Sequence, residues 1–385
     1  MRTPRLQGHP RSVRFGRMCF TSRLFGGIGL VAAVMVAVTG CGSASSVSSS
    51  PVTHVTTTED PATNRDFDDL GVGPYRSYGT VEVGRGPRGV AVDPALHHAY
   101  VVNQDSATAP YPVSVSVLDT RNRTVTATIA VDGLVVREPQ PIVIDPATHL
   151  VYVLGIGGSG ALAVIDPSTN SVVARIAIED VVDPTAVAID SDRHRVYVAG
   201  QFDQKIAAID TGSRAVVATV AVGAKPAALA VDPLSHQVWV ATAAGASVID
   251  PDPFVVSATI AAAGEPEAVV IDSDSHAAYL TEFRGNSVTL VDTATHAVSR
   301  TSLNRESSFA VALDPALHTV FLTSGAFDSI TMIDTRTHQL TASRRTAHPY
   351  SDGHWTGGIA VDATTHEIYV THGESSHTIE ILAPA

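Results

Sequence analysis

Two short segments hold the side chains best suited to metal or proton chemistry, His348-Pro-Tyr-Ser-Asp352-Gly-His354-Trp355 and His372-Gly-Glu374-Ser-Ser-His377. Imidazoles and carboxylates at this density could hold a divalent metal or form a general acid and base pair. No spacing among His348, Asp352, His354, His372, Glu374 and His377 is diagnostic of zinc, so no cofactor is expected, and a divalent metal is the one group these residues could take. A second set suits an anion. Arg88, Arg137 and Arg305 carry the planar fork that grips carboxylate or phosphate. Tyr111 and Trp355 could wall such a pocket, and Asn103, Gln140 and Glu267 would add polar lining. The chain has no Gly-rich phosphate loop after a strand and no G-x-S-x-G elbow.

What must position these residues is a unit written seven times. An apolar run ends in Asp, His follows four residues later, and a second apolar run containing an aromatic comes next. The Asp residues are Asp93, Asp145, Asp190, Asp232, Asp272, Asp314 and Asp362; their His partners run from His97 to His366. Intervals of 40 to 52 residues match a four-stranded propeller blade and exceed a helical repeat. Each apolar run is short, rich in Val, Ile and Ala, and bounded by Gly, Pro, Asp or Ser, which reads as buried strand. Four strands per unit follow, joined as a meander.

The sixteen His therefore reduce to fewer candidates, because seven of them hold one turn position in every unit. A carboxylate ending the first strand can accept the turn's N–H groups, and Pro94, Pro146, Pro233 and Pro315 pre-set that turn. A second Asp closes the third strand at Asp119, Asp166, Asp210, Asp250, Asp292 and Asp334, and the seventh unit has Glu380 there. That last unit lacks a fourth strand. Tyr78 to Gly84 matches the missing one, so the expected fold is an all-β, seven-bladed propeller of four-stranded antiparallel blades, closed by an N-terminal strand that completes the last blade.

The runs AYVVN (99–103), VYVLG (151–155), VYVAG (196–200), VWVAT (238–242), AYLTE (278–282), VFLTS (320–324) and IYVTH (368–372) resemble the YVTN family of β-propeller repeats over about residues 78–385. The resemblance implies a propeller of the kind found in bacterial envelope proteins and little about activity. Propeller relatives further off include lactonases and a streptogramin-inactivating lyase with sites in the central mouth. They imply an alternative, an enzyme in which His354 or His372 is base or metal ligand.

Departures from the repeat should mark the site. Pro87, Pro139, Pro184, Pro226 and Pro266 stand six residues before the first-strand Asp, where units six and seven have Ser308 and Thr356. Arg88 and Glu267, just after this Pro, should face the channel mouth. The unusual segments fall in units six, seven, one and two, which adjoin in a ring.

Six Arg precede residue 24, an apolar stretch runs to Thr39, and Val38-Thr39-Gly40-Cys41 is similar to a bacterial lipobox. Residues 1–40 read as a lipoprotein signal, Cys41 as the lipidated residue, 41–76 as a Ser/Thr/Pro-rich tether, and 77–385 as the propeller. Losing six Arg leaves 19 basic against 38 acidic residues, a formal charge near −19 that opposes nucleic acid and anionic lipid. The expectation is an exported, monomeric scaffold, noncatalytic and held to the membrane by lipid alone, whose partner is a small molecule, a glycan or an envelope protein.

Overall fold

The computed structural model describes residues 73–105, 112–136, 141–155, 160–262, 264–282, 285–303, 308–324, 329–346, 357–373 and 376–385. They form seven four-stranded antiparallel sheets. Blade one is the pattern for the rest, with strands Pro87–Asp93, His98–Gln104, Val113–Asp119 and Thr124–Ala130, the first innermost and the fourth at the rim. The first strands of successive blades pack against one another from blade one round to blade seven, where Ile359–Val361 meets Pro87–Asp93 and closes the ring.

The second strands are buried along their length, because each lies mid-blade with a neighbouring blade on either face. Their aromatics, Tyr100, Tyr152, Tyr197, Trp239, Tyr279, Phe321 and Tyr369, are each 2% exposed or less. Each belongs to a core shared with the next blade, so the molecule has seven inter-blade cores. Burying one such ring stabilises by roughly 3 kcal/mol. The rim strands alternate exposed and half-buried residues, as a one-sided sheet edge should.

The Asp and His of the repeat build the first hairpin. The Asp93 carboxylate accepts the N–H groups of Ala95 (3.0 Å) and Leu96 (3.1 Å), and Asp362 does the same for Thr364 and Thr365. All seven His residues take left-handed backbone angles, φ from +49° to +61°, closing a turn that few side chains tolerate. The imidazole then reaches the preceding blade: His149 Nδ1 lies 2.7 Å from Asp93, His236 Nδ1 3.1 Å from Asp190, and His366 Nδ1 2.7 Å from Asp314. Where Ser follows the Asp, its hydroxyl takes over, Ser191 donating to Asp145 and Ser273 to Asp232 at 2.6 Å. These His are joints between blades.

Tyr75–Glu82 supplies the fourth strand of blade seven, pairing with Thr378–Pro384 from Tyr75↔Pro384 to Glu82↔Thr378. It begins three residues before the strand expected from sequence, and Arg123 of blade one clamps it. That guanidinium lies 3.9 Å over the Tyr78 ring and bonds Glu367 at 2.5 Å, while Tyr369 holds the other Glu367 oxygen at 2.8 Å.

Glu380 corrects the sequence reading. Val370↔Glu380 is equivalent to Val101↔Ser116 and Leu280↔Thr289, so Glu380 stands mid-strand, fully buried, and Ala383 takes the place held by Asp119. An acid after an apolar pair suggested the strand end; with Ile on both sides it is an inward position.

Candidate binding face

First strands begin, and second strands end, on the face opposite the Asp and His turns. Pro starts the strand because it has no N–H to give the ladder beyond. One residue later the register slips: the pairs run from Pro87 to Gly89, Pro184 to Ala186, Pro226 to Ala228 and Pro266 to Ala268. Arg88, Thr185, Ala227 and Glu267 are therefore bulge residues, one per blade around the mouth. Bulges of this kind re-aim a side chain at the edge of a sheet.

The four are not alike. Arg88 is only 8% exposed, and its carbonyl accepts Gly358 N–H (3.1 Å) and the Thr371 hydroxyl (3.2 Å), joining blade seven to blade one. Thr185 is buried and donates to Pro226 O of the next blade. Glu267 is exposed, the one charged residue open to solvent on the described first strands, and its carboxyl is pushed up chiefly by burial. Lys225 lowers this carboxyl and Glu265 raises it. Below the mouth, the partly exposed residues of the first strands are apolar, among them Val92, Ile144, Ile189, Val270 and Val361.

Beneath the Pro residues lies a second ring, at the mouth ends of the second strands. Pro87 pairs with Asn103, Pro226 with Thr242 and Pro266 with Glu282, and the matching positions in blades six and seven are Ser324 and His372. Asn103 is buried, donating to Val101 O (3.1 Å) and Ser116 Oγ (3.0 Å). Glu282 accepts from Thr289 (3.4 Å) and Arg300 (3.3 Å), and burial raises its carboxyl. His372 is 1% exposed with Nε2 3.8 Å from Glu380 Oε2. His377 is exposed just ahead of the next strand, and its carbonyl accepts Val83 N–H at 2.8 Å.

Of the residues singled out by sequence, the structure thus sets Arg88 and Glu267 on the mouth ring and Asn103 and His372 in the buried ring below. Among the described residues no group of three or more His, Cys, Asp or Glu could hold an ion. Tyr111, Arg137, Gln140, Arg305, His348, Asp352, His354, Trp355, Glu374 and Cys41 lie outside the described residues. Sequence reasoning missed Glu282, Arg300 and the true place of Glu380. The signal was present in the aligned repeat runs, whose last letters are N, G, G, T, E, S and H.

No protein-family model and no curated protein matches the chain. Among solved structures it is similar to Kuenenia stuttgartiensis Hydrazine Synthase, with a TM-score of 0.64 and 18% identity over 78% of this chain and 96% of that one. That likeness is one of fold, and this chain is a seven-bladed β-propeller.

Proposed function

We propose that the chain is an exported binding scaffold, noncatalytic, lipid-anchored at Cys41, which takes a small molecule, glycan or protein at the mouth. The observation that carries this is the contrast between the two faces. All seven first-strand Asp residues accept backbone N–H groups of the same hairpin turn, whereas the equivalent mouth positions hold Arg88, Thr185, Ala227, Glu267, Phe309 and Gly357 among the described residues. A repeated frame that varies at one ring is how a rigid scaffold presents a site. A ligand screen by thermal shift, with Glu267→Gln beside the wild type, tests it; ligands that stabilise both equally would place binding elsewhere. Cys41→Ser should release the protein from membranes, and retention would remove the anchor.

The second reading, a lactonase- or lyase-like enzyme, has His372 as its described candidate. Its imidazole is buried at a position that other blades fill with Thr242 and Glu282, which favours a packing role. Turnover lost in His372→Ala at unchanged melting temperature would replace the first reading with this one.

A further inference from the structure

Among the described residues the most exposed large apolar side chain is Phe202, 72% open to solvent in the loop between the second and third strands of blade three. Val182, 49% exposed, stands on the crossing that enters the same blade from blade two. The main chain ties the two segments together. Gln201 N–H donates to Asp183 O (3.1 Å), and Phe202 N–H donates to Val182 O (3.5 Å). Gly200 lets them meet, since a Cβ there would strike the Val181 side chain and the Asp203 carboxylate. Both segments lie on the mouth side, because the second strand ends into one and the first strand begins from the other. A lone exposed apolar residue is ordinary, but an aromatic and an aliphatic one on loops bonded into a single platform make an anchor for a partner.

Every charge on this platform is known, because both segments fall within the described residues 160–262. The crossing, 178–183, and the loop, 201–204, carry Glu179, Asp180, Asp183 and Asp203 and no cation. Glu179 and Asp180 are exposed. Lys205 stands 3.8 Å from Asp203 and offsets one of the four. The adjoining loop of blade two, where Gly160 O accepts Ile178 N–H at 3.3 Å, has no charged residue from Leu154 to Gly160. Arg175, on the rim strand of blade two, and Lys225, ahead of the first strand of blade four, stand outside both segments.

We infer that this platform docks a basic segment of a partner protein, its apolar side chains against Phe202 and Val182 and its Arg or Lys groups over the Phe202 ring and at the surrounding carboxylates. An aromatic face attracts a cation, and carboxylates beside it hold guanidinium groups and steer their approach. A second copy fits less well, because two-fold pairing would set this patch on itself, acid against acid, in a chain of net charge −13. An anionic membrane meets the same repulsion. The platform is made by other residues than Arg88, Thr185, Ala227 and Glu267, so the inference does not rest on that ring binding anything.

The test titrates three end-capped hexapeptides into the purified full chain by calorimetry at low salt: Arg-Leu-Arg-Arg-Leu-Arg, the same with Ser for Leu, and the same with Glu for Arg. The first should bind at least about tenfold more tightly than the second, and the third not at all. Phe202→Ser should remove that advantage, and Glu179→Gln with Asp180→Asn should weaken both basic peptides by about threefold. Leu234→Ser, at a similarly exposed residue on the opposite face, should change neither. A melting curve for each variant identifies any that is misfolded. Equal binding of the first peptide by wild type and Phe202→Ser would overturn the inference, as would tight binding of the Glu peptide or no binding at millimolar concentration. A dimer in sedimentation velocity that dissociates in Phe202→Ser would replace the partner protein with a second copy. Small-ligand binding lost in Glu267→Gln bears on the mouth ring alone.

Discussion

One residue in the fourth strand of five blades is left out of the ladder, and its side chain decides how the carbonyl beside it is satisfied. The skipped residues are Thr126, Val173, Val217, Ser257 and Thr341. Thr126 donates to Val117 O (3.2 Å), Ser257 to Val248 O (3.3 Å) and Thr341 to Met332 O (3.3 Å). Val173 and Val217 have no hydroxyl and stand 42% and 50% exposed. Val173→Thr and Val217→Thr should each stabilise by about 0.5 kcal/mol, the lower end for a hydrogen bond near solvent, read as a higher urea midpoint at unchanged slope. A lower midpoint would show that the bulge carbonyl needs no such partner. Single residues also explain where the sequence misled. The Asp and His of the turn were legible because one chemical need recurs seven times, whereas Glu380 follows a pairing register that letters alone do not carry.

Closure is the property of an element, the strand Tyr75–Glu82. Its existence was legible from a missing fourth strand, and its start was not, because the bulge between Ser77 and Gly79 adds a residue that no repeat alignment contains. The Arg123 clamp joins blade one to that strand and to Glu367. Arg123→Ala should cost about 2 kcal/mol, since it takes a charged partner from a largely buried carboxylate that the Tyr369 hydroxyl also holds. Arg123→Lys should recover only part, as an ammonium cannot both stack on Tyr78 and meet Glu367 in one plane. Equal melting of all three proteins would remove the clamp from the account. Deleting residues 73–83 should do more, baring the edge of Thr378–Pro384 and giving aggregation on dilution from denaturant.

At the scale of the whole molecule the ring depends on ionised turns, and so does its response to acid. Asp119 is held at about 2 chiefly by the Arg121 guanidinium, Asp334 at about 2 by Arg336, and Asp210 at about 2 by the backbone N–H of Ser213. Burial works to raise Asp145 and Asp232, yet the hydroxyls of Ser191 and Thr148, and of Ser235 and Ser273, outweigh it and hold both low. Carboxyls lowered by folding stabilise fully above the unfolded value, near 4, and lose that contribution as pH falls toward about 2. Glu267 and Glu282, raised by burial, have the opposite sign and favour the fold slightly as they take protons. Melting temperature should therefore stay nearly level from pH 7 to 5 and fall steeply below about 4. A decline that begins well above pH 5 would remove these carboxylates as its cause. Ser191→Ala should lower stability at pH 7 by about 1.5 kcal/mol, with the gap to wild type closing below pH 4. The architecture was legible at this scale because a repeat fixes a period. The site was less so: the sequence counts charged residues, and only the fold shows that Arg88 is buried while Glu267 is exposed.

The sealing strand also sets how the molecule would bear force. It enters at Tyr75 beside Pro384, on the face of the Asp and His turns, and rises to Glu82 toward the mouth. A pull between the chain ahead of Tyr75 and a partner held at the mouth runs along this strand, antiparallel to Thr378–Pro384, so the ladder bonds lie across the load and share it together. The same seam pulled from its side would open one bond at a time. Among the described residues this is the one joint between strands that are not consecutive, and it is loaded in shear, so the ring resists tension most when the chain ahead of Tyr75 is drawn along the strand.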